Sequence, residues 1–419
     1  MTHPQLARRL GIRDAVIIGL GSMLGAGVFA AFSPAARVAG AGLLIGLAIA
    51  ALVALCNATA SAQLAAEYPT SGGTYIYGRE RLGPWWGFLA GWGFVVGKIS
   101  SCAAMALTFA AYVAPTGWWQ KPIAVAAVII LATVNYYGIT RTASLTKIIV
   151  AFVLATLALV VVASLSGATR GSVGSWDLLA GGWYGILQSA GLLFFAFAGY
   201  ARIATMGEEV RDPERTIPRA ILTALSVVVL IYLVVGTSIL IALGPAGVAE
   251  SRAPLAAAVN AQGWVWAGVL VRLGAAAAAL GALLALIAGV SRTTLAMARH
   301  DDLPRWLSAL HDRHHVPHHA DIAIAALVCV LVLTTDLRDA IGFSSFGVLL
   351  YYLIANAAAY TQTGQRRRFP RVLQVLGVAG CAILVLTLPL TAVIGGTVIF
   401  AVGMIYRAIR LRVEQSRPS

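Results

Sequence analysis

Charged side chains are scarce in this sequence. Asp, Glu, Lys and Arg make up only 11% of its 419 residues, whereas they account for about 25% of a typical soluble domain. Hydrophobic residues reach 59%, and the mean hydropathy is +0.85. This composition excludes an ordinary soluble domain and predicts a polytopic membrane protein.

Acidic residues are the scarcer charged type, 16 against 30 Lys and Arg, so the formal net charge is +14. The basic residues lie in short loops between apolar runs, as is typical of membrane proteins. We therefore expect a lipid bilayer, and not nucleic acid, as a partner. The four cysteines lie within apolar stretches, which favours small buried side chains over a disulfide set or a metal site. The sequence also lacks a Walker-type loop and a hydrolytic constellation, so we expect neither an ATP-driven pump nor an enzyme, and no cofactor.

Twelve apolar stretches are candidates for spans, given that about 20 residues cross roughly 30 Å of hydrocarbon. They cover residues 14–37, 41–66, 84–113, 122–137, 143–166, 183–208, 219–243, 268–298, 321–335, 339–362, 371–388 and 390–408. The basic first 13 residues carry no small-residue cleavage site. We expect them to remain as an N-terminal tail, 1–13, with a second tail over 409–419.

The basic residues are divided unevenly between the two sides of this topology. With the N-terminus inside, 22 Lys and Arg fall on the inner side and six on the outer side, while Lys98 and Arg202 lie within spans. The outer six are Arg37, Lys121, Arg170, Arg252, Arg272 and Arg338. This bias predicts a multi-pass protein of the plasma membrane with both termini in the cytoplasm.

The first span is interrupted by glycine. Residues 19–29 read GLGSMLGAGVF, with four glycines in eleven positions, and each costs roughly 1 kcal/mol relative to alanine in a helix interior. A helix that opens in the membrane must line a cavity or be buried in protein. The segment therefore predicts a small-molecule site at mid-membrane. Close helix packing through small residues is the alternative.

The sixth span carries a matching interruption, Phe-Ala-Gly-Tyr at 197–200. In this topology the first and sixth spans enter the membrane from opposite sides. Corresponding breaks in two oppositely oriented units are typical of a transporter whose binding site lies between inverted repeats. We therefore expect a first five-helix repeat over 14–166, a second over 183–362, and two additional helices over 371–408.

Three stretches resemble signatures of the amino acid–polyamine–organocation (APC) superfamily. In the first span GSMLGAGVF resembles G-S-x-x-G-x-G-[VI]-F, and YPTSGGTYIY at 68–77 resembles P-x-x-G-G-x-Y-x-Y. After the sixth span GEEVRDPERTIPR at 207–219 resembles E-E-x-x-[ND]-P-x-[RK]-x-[IL]-P-[RK]. The motifs occur in order and at the right places relative to the spans. The likeness covers most of the chain and is weakest over the last two spans.

This resemblance implies an all-α membrane protein of about 12 transmembrane helices with the five-plus-five inverted repeat of the leucine-transporter type. It implies that the substrate lies at the unwound parts of spans one and six, where helix ends offer amides to an anion and carbonyls to a cation. The positions matched to the substrate carboxylate are Ser22, Met23, Gly25, Ala26 and Gly27. Those matched to its ammonium are the carbonyls of Ala196, Phe197, Ala198 and Gly199, with Phe195 and Tyr200 as aromatic walls. Ordinary packing is the alternative for each aromatic.

Two charges within spans depart from the family pattern. Family members often have an acidic residue two positions after the span-six glycine, and this chain has Ala201 there. The next residue is Arg202, which we treat as a candidate pocket charge. The span-five lysine of proton-coupled members falls at Val153, and Lys147 is expected to anchor the cytoplasmic end of that span. Lys98, near the middle of span three, is the candidate coupling residue, since intramembrane charges are expensive and usually functional. Its alternative role is structural, bonded to carbonyls of the broken helices.

Six histidines fall between residues 300 and 319, in the loop predicted between spans eight and nine. Pro317 interrupts any helix that would pair them as metal ligands. We expect a solvated basic loop there and no metal site.

Together these features predict a secondary active transporter of amino acids that works by alternating access. All acidic residues lie in loops or near span ends, so a cationic side chain would lack a carboxylate at mid-membrane. Neutral, small-to-medium apolar amino acids are therefore the expected substrates, with anionic ones next if Arg202 faces the cavity. Coupling is expected to be to protons through Lys98, or by exchange, and not to sodium. A non-transporting sensor and a transporter of cationic amino acids or polyamines are the alternatives, while a channel would need a continuous polar lining.

Overall fold

A computed structural model describes residues 10–69, 72–114, 117–138, 143–167, 176–207, 209–314, 316–364 and 367–415. In these ranges the chain consists of α-helices with short turns and 3₁₀ segments, and its one β-bridge joins Leu10 to Val210. The helices are α1 Ile12–Met23, α2 Ala26–Ala30, α3 Phe32–Ala39, α4 Leu43–Glu67, α5 Thr74–Leu82, α6 Pro84–Val113, α7 Gln120–Tyr136, α8 Ala143–Ser166, α9 Gly182–Phe197, α10 Ala201–Ala204, α11 Pro213–Glu250, α12 Pro254–Ala261, α13 Val265–Arg299, α14 His318–Thr334, α15 Leu337–Tyr360, α16 Arg371–Thr387 and α17 Leu390–Gln415.

Within the described ranges nine helical segments are long and apolar enough to cross a membrane. Three further apolar helices, α7, α14 and α16, are shorter. Each of the twelve predicted stretches coincides with one of the helices or broken helices. The prediction of an all-α polytopic membrane protein is therefore confirmed.

Proline and its neighbours set several helix starts. Pro84 and Pro213 occupy the first turns of α6 and α11, where a missing amide proton costs nothing. Asp336 caps α15 by accepting a hydrogen bond from the amide of Asp339 at 2.8 Å. Gly244 has a non-helical backbone (φ +70°), so the helix of span seven ends there, one residue after the predicted end at residue 243, and residues 245–250 form a second helical piece within the range given for α11.

The membrane helices differ in how much of their surface is enclosed by other helices. Helices α6, α9 and α15 are the most enclosed of the membrane helices in the described ranges, while α17 exposes most of its surface. Helix α6 packs against α13 and α15, and α4 packs against α9 and α11. The outward side chains of α17, such as Val398, Val402 and Ile405, are exposed and apolar, as expected of a surface covered by lipid.

Three of the four cysteines are buried, and Cys329 is half-buried. All four are free thiols, as the sequence predicted. Cys381 of α16 lies 3.4 Å from the Asn57 side-chain oxygen, which also accepts a bond from the Asn356 amide at 2.6 Å. This buried polar contact joins α16 to α4 and α15, because each group would lose a partner if the helices separated.

Candidate functional site

The first span is broken over two residues. Helix α1 ends at Met23, Leu24 and Gly25 leave the helix, and α2 begins at Ala26. A Cβ on Gly25 would lie 2.8 Å from the Cβ of Ala282, so glycine is required for the close approach of α13. The predicted interruption is thus confirmed in a narrower form. The side chain of Ala26 lies outside the described part of the structure.

The second break is a tight turn. Helix α9 ends at Phe197, the 3₁₀ turn Ala198–Tyr200 follows, and α10 then begins at Ala201. A 3₁₀ stretch inside a longer helix often marks a hinge, because its hydrogen bonds are poorer than those of an α-helix. The interruption lies where the sequence placed it.

The two breaks contact each other directly. A Cβ on Gly199 would lie 2.7 Å from the amide nitrogen of Met23, and one on Gly27 would lie 2.7 Å from the Cα of Ala196. Any larger residue at either glycine would separate the backbones. The structure therefore brings most of the predicted carboxylate and ammonium positions to one crossing. Gly25 is directed towards α13 instead, and the Ser22 hydroxyl donates to the carbonyl of Ile18 at 2.9 Å in its own helix.

A tyrosine of α11 bridges the crossing. The hydroxyl of Tyr232 lies 2.5 Å from the Met23 carbonyl and 3.0 Å from the Ala196 carbonyl. A hydroxyl has one proton, so Tyr232 donates to one of these oxygens at a time. Its ring packs on Phe197 with the ring centroids 5.1 Å apart. Tyr232 thereby links the ends of both broken helices to α11.

Lys98 reaches the second break. Its side chain is only 6% exposed, and its amine donates to the Ala198 carbonyl at 3.3 Å. The hydroxyl of Tyr352 lies 3.5 Å from the same oxygen, and the Tyr352 ring packs on Tyr200 at 5.0 Å between centroids. Two carbonyls expected to meet a substrate ammonium, those of Ala196 and Ala198, therefore already accept bonds from side chains. A carbonyl oxygen has two lone pairs, so each retains capacity for a second donor.

The tyrosines at the crossing escaped the sequence analysis. Tyr232 and Tyr352 lie in spans that read as continuously apolar, and Tyr112 of α6 donates to the Phe29 carbonyl at 2.9 Å. The presence of a tyrosine hydroxyl within an apolar span was the signal that could have identified these residues. A buried tyrosine needs a hydrogen-bond partner, and inside an apolar span the partners on offer are the carbonyls of an opened helix.

The other two in-span candidates have different surroundings. Arg202 is about one third exposed and pairs with Glu209, with the Nη2 and Oε1 atoms 3.8 Å apart. Phe195 is buried at 6% exposure.

Lys147 pairs with Asp14 at 2.8 Å, which joins α8 to the start of α1. Glu208, beside Glu209 in the third motif, lies outside the described residues.

The second motif builds one end of the bundle. Gly73 has a φ of +55°, which glycine adopts readily, and it precedes α5. Tyr75 of α5 donates to the Asp302 carboxylate at 2.7 Å, and Arg79 approaches it at 3.5 Å. Burial, together with the Asp302 carboxylate, raises the pKa of the Tyr75 hydroxyl, which therefore keeps its proton. Thr70 and Ser71 of this motif lie outside the described residues.

Arg407 of α17 completes this carboxylate site. It bonds to the other oxygen of Asp302, and its guanidinium lies 5.1 Å from the ring centroid of Trp85 and 4.8 Å from that of Phe88. Both Arg407 and Asp302 are buried. A helix outside the two predicted repeats thus contacts the loop after α13.

The histidines differ from the expected solvated loop. His318 and His319 begin α14 directly after Pro317, because a proline just before the first turn starts a helix instead of preventing it. His311 packs on His314 with ring centroids 4.7 Å apart, and Tyr136 packs on His311 at 5.3 Å. Among the described residues no group of three or more His, Cys, Asp or Glu has metal-binding geometry.

Comparison with known proteins gives a family match and full-length relatives. Residues 10–411 match the sequence model of the amino acid permease family. An uncharacterized transporter of Mycobacterium tuberculosis is 56% identical over 407 residues, which cover 97% of this chain and 92% of that protein.

More distant relatives carry names that state a substrate. The branched-chain amino acid permease BcaP of Bacillus subtilis is 24% identical over 432 residues, covering 96% of this chain and 92% of its own length. The chloroplastic cationic amino acid transporter 7 of Arabidopsis thaliana is 28% identical over 384 residues, covering 85% of this chain and 66% of its own length.

Proposed function

This chain belongs to the amino acid permease family, a family of multi-pass membrane transporters and not of enzymes, and on that premise we propose that it moves neutral amino acids across the cytoplasmic membrane by alternating access. The crossing of the two broken spans carries the proposal. At that crossing Gly27 and Gly199 allow backbone contact between helix ends of opposite polarity. Such ends supply amides for a carboxylate and carbonyls for an ammonium.

The proposed moving parts follow from the same contact. Spans one, two, six and seven, here α1 to α4 and α9 to α11, form the bundle that rocks against the remaining helices. The Tyr232 bridge supports this grouping, because it ties α11 to both breaks. The division into inverted repeats at 14–166 and 183–362 belongs to this proposal, as do cytoplasmic positions for both termini, which rest on the distribution of Lys and Arg.

The preference for neutral substrates rests on the charges near the crossing. Among the described residues, one lysine and two tyrosines, Tyr232 and Tyr352, reach carbonyls of the two breaks, and Tyr112 reaches the Phe29 carbonyl of α2. None of these offers a negative charge to the side chain of arginine, lysine or a polyamine. The name of the branched-chain permease relative agrees with this choice, and that of the cationic transporter relative supports the alternative. Arg202 pairs with Glu209, which lessens the case for anionic substrates.

Energy coupling is proposed to use protons, as symport or antiport, or to be plain exchange. Lys98 is the coupling candidate, since its amine is the one charge that contacts a break in the described residues. Its bond to Ala198 is also the contact that a purely structural lysine would make. Variation of this residue distinguishes the two roles.

Purified protein in proteoliposomes tests the proposal. We expect saturable uptake of labelled leucine or valine without sodium, and competition by alanine, valine and leucine at concentrations near their own KM. Inhibition by arginine, lysine or putrescine with none by neutral amino acids would overturn the substrate class. Saturable binding without uptake or exchange under any gradient would show a sensor instead of a transporter.

A further inference from the structure

Asp321 is a buried carboxyl outside the crossing. It lies in the first turn of α14 and is only 1% exposed. One of its oxygens, Oδ1, accepts a bond from the Asn135 amide of α7 at 2.8 Å and a second from the Ser291 hydroxyl of α13. The other oxygen, Oδ2, is enclosed and has no hydrogen-bond partner among the described residues. The structure therefore holds one oxygen in place and leaves the other unused.

Both donors to Asp321 are neutral, and the cations nearby are engaged or exposed. Arg292 and Arg299 of α13 are exposed, and no Lys or Arg of the described residues lies within 4 Å of the carboxyl. On α7, Lys121 bonds the Leu333 carbonyl at the opposite end of α14, and on α6 Lys98 bonds Ala198.

The remaining titratable side chains near Asp321 also contact other partners. Arg305 begins another 3₁₀ turn, Arg305–Ser308, which packs on α14, and it pairs with Asp301 at 2.6 Å. His318 and His319 of α14 pack on each other with ring centroids 4.2 Å apart, and Tyr136 of α7 packs on His318 at 6.3 Å. Asp321 thus lacks the paired cation that a buried carboxylate needs.

A cavity of about 260 Å³ adjoins the two residues that hold Oδ1. It is lined by Asn135, Ser291, Arg292, Leu295, Arg299 and Val316. This volume is large enough for several water molecules, and Asn135, Ser291 and the two arginines supply polar groups in an otherwise mostly apolar wall. Asn135 and Ser291 thus both bond Asp321 and line the cavity.

We propose that Asp321 is a proton-binding carboxyl of the transport cycle. In the packing described here a proton resides on Oδ2, since Oδ1 accepts two donated bonds and acts as the carbonyl oxygen. When α13 or α7 moves, water in the cavity takes that proton, and the carboxylate formed is stabilised by Asn135, Ser291 and the field of Arg292. This site adds a second titrating group to Lys98. It rests on the proposed function, whose proton coupling it deepens.

Substrate-driven proton movement tests the assignment. Proteoliposomes loaded with a pH-sensitive dye receive external leucine, and the change in internal pH, acidification for symport or alkalinisation for antiport, is followed beside counterflow exchange of labelled leucine. For Asp321→Asn, which keeps the oxygen that accepts both bonds, we expect the rate of this pH change to fall at least tenfold with exchange within about twofold of the native protein. Asp312→Asn, at an exposed loop carboxylate, is the matched control and should change neither.

The outcomes separate this inference from the function it rests on. Native protein that neither exchanges nor takes up amino acids overturns the proposed function itself. Native protein that exchanges without a change in internal pH, or Asp321→Asn with the native pH change, overturns only the role of Asp321. If Asp321→Asn loses both activities, labelling of the native protein by a hydrophobic carbodiimide decides, because this reagent reacts with protonated buried carboxyls. Labelling of Asp321 that rises as pH falls supports the assignment, and its absence contradicts it.

Discussion

The amine of Lys98 and the carbonyl of Ala198 form the bond on which coupling is proposed to depend. It connects α6, an enclosed helix, to the 3₁₀ turn of the second break. A change in the protonation of the amine, or its displacement by a substrate ammonium, alters the partners of an opened backbone inside the membrane. Backbone groups in that position cannot turn to water.

Lys98→Met is therefore expected to uncouple transport without abolishing binding. Methionine preserves the length of the side chain but cannot hold or release a proton, so accumulation driven by a pH gradient should fall to the equilibrium ratio. Leucine counterflow should continue. The measurement is the internal-to-external ratio of labelled leucine under an imposed gradient.

Lys121→Met provides the control for this variant, since Lys121 bonds the Leu333 carbonyl in an exposed setting away from the crossing. Native accumulation in Lys98→Met would leave the residue a structural role only.

Individual residues differed in how far the sequence predicted them. Gly27 and Gly199 were predictable, because glycine in a span is costly unless the backbone needs the space. The partners of Tyr232 were not, because they lie on helices far apart in the chain. Asp321 was recognised only as an acid near a span end, a position where carboxylates commonly reach water. Its burial is decided by α7 and α13 packing over it.

At the level of elements, α17 makes a contact through Arg407 that no sequence motif predicts. Arg407 bonds the carboxylate that Tyr75 and Arg79 also approach, so the last helix is attached to α5 and to the loop after α13. The aromatic rings of Trp85 and Phe88 cover the guanidinium and exclude water from the pair.

Arg407→Met should destabilise the protein markedly. Removing Arg407 leaves the buried Asp302 carboxylate, among the described residues, with only the Tyr75 hydroxyl and the more distant Arg79, so the loss approaches about 3–5 kcal/mol, the cost of breaking a buried pair. We expect a lower apparent Tm in detergent, and less than additive loss when the change is combined with Asp302→Asn. Arg305→Met, which breaks an exposed pair with Asp301, should change the Tm little. Equal shifts for the two arginines would contradict a buried role for Arg407.

Helix boundaries were predicted to within a few residues where glycine or proline punctuates the chain, and less well where neighbours decide. Helix α14 begins at His318, three residues before the predicted start. Gly244, with its non-helical backbone, ends the membrane helix of α11 one residue after the predicted end, and residues 245–250 form a short further helical piece. The close contact between α17 and the loop after α13 was beyond sequence analysis, since it joins positions more than 100 residues apart.

For the whole molecule, the distribution of Lys and Arg predicts the orientation in the membrane. Arg252 and Arg313 are both exposed, and they lie on opposite sides in the proposed topology. Arg252→Cys should react with a membrane-impermeant maleimide in intact cells, and Arg313→Cys only after permeabilisation. The parent protein is the baseline, as its cysteines lie buried or half-buried within apolar helices. The reverse pattern of labelling would contradict the orientation.

The bond between Lys98 and Ala198 also bears on whether the carrier can reorient without a bound substrate. A carrier that reorients only when loaded performs one-for-one exchange, whereas a carrier whose vacant form also reorients produces net uptake. Here the Ala198 carbonyl, which is proposed to accept a bond from a substrate ammonium, already accepts one from the Lys98 amine. An amine of the protein can therefore satisfy this carbonyl while the carrier reorients without substrate, and we expect net uptake in addition to exchange.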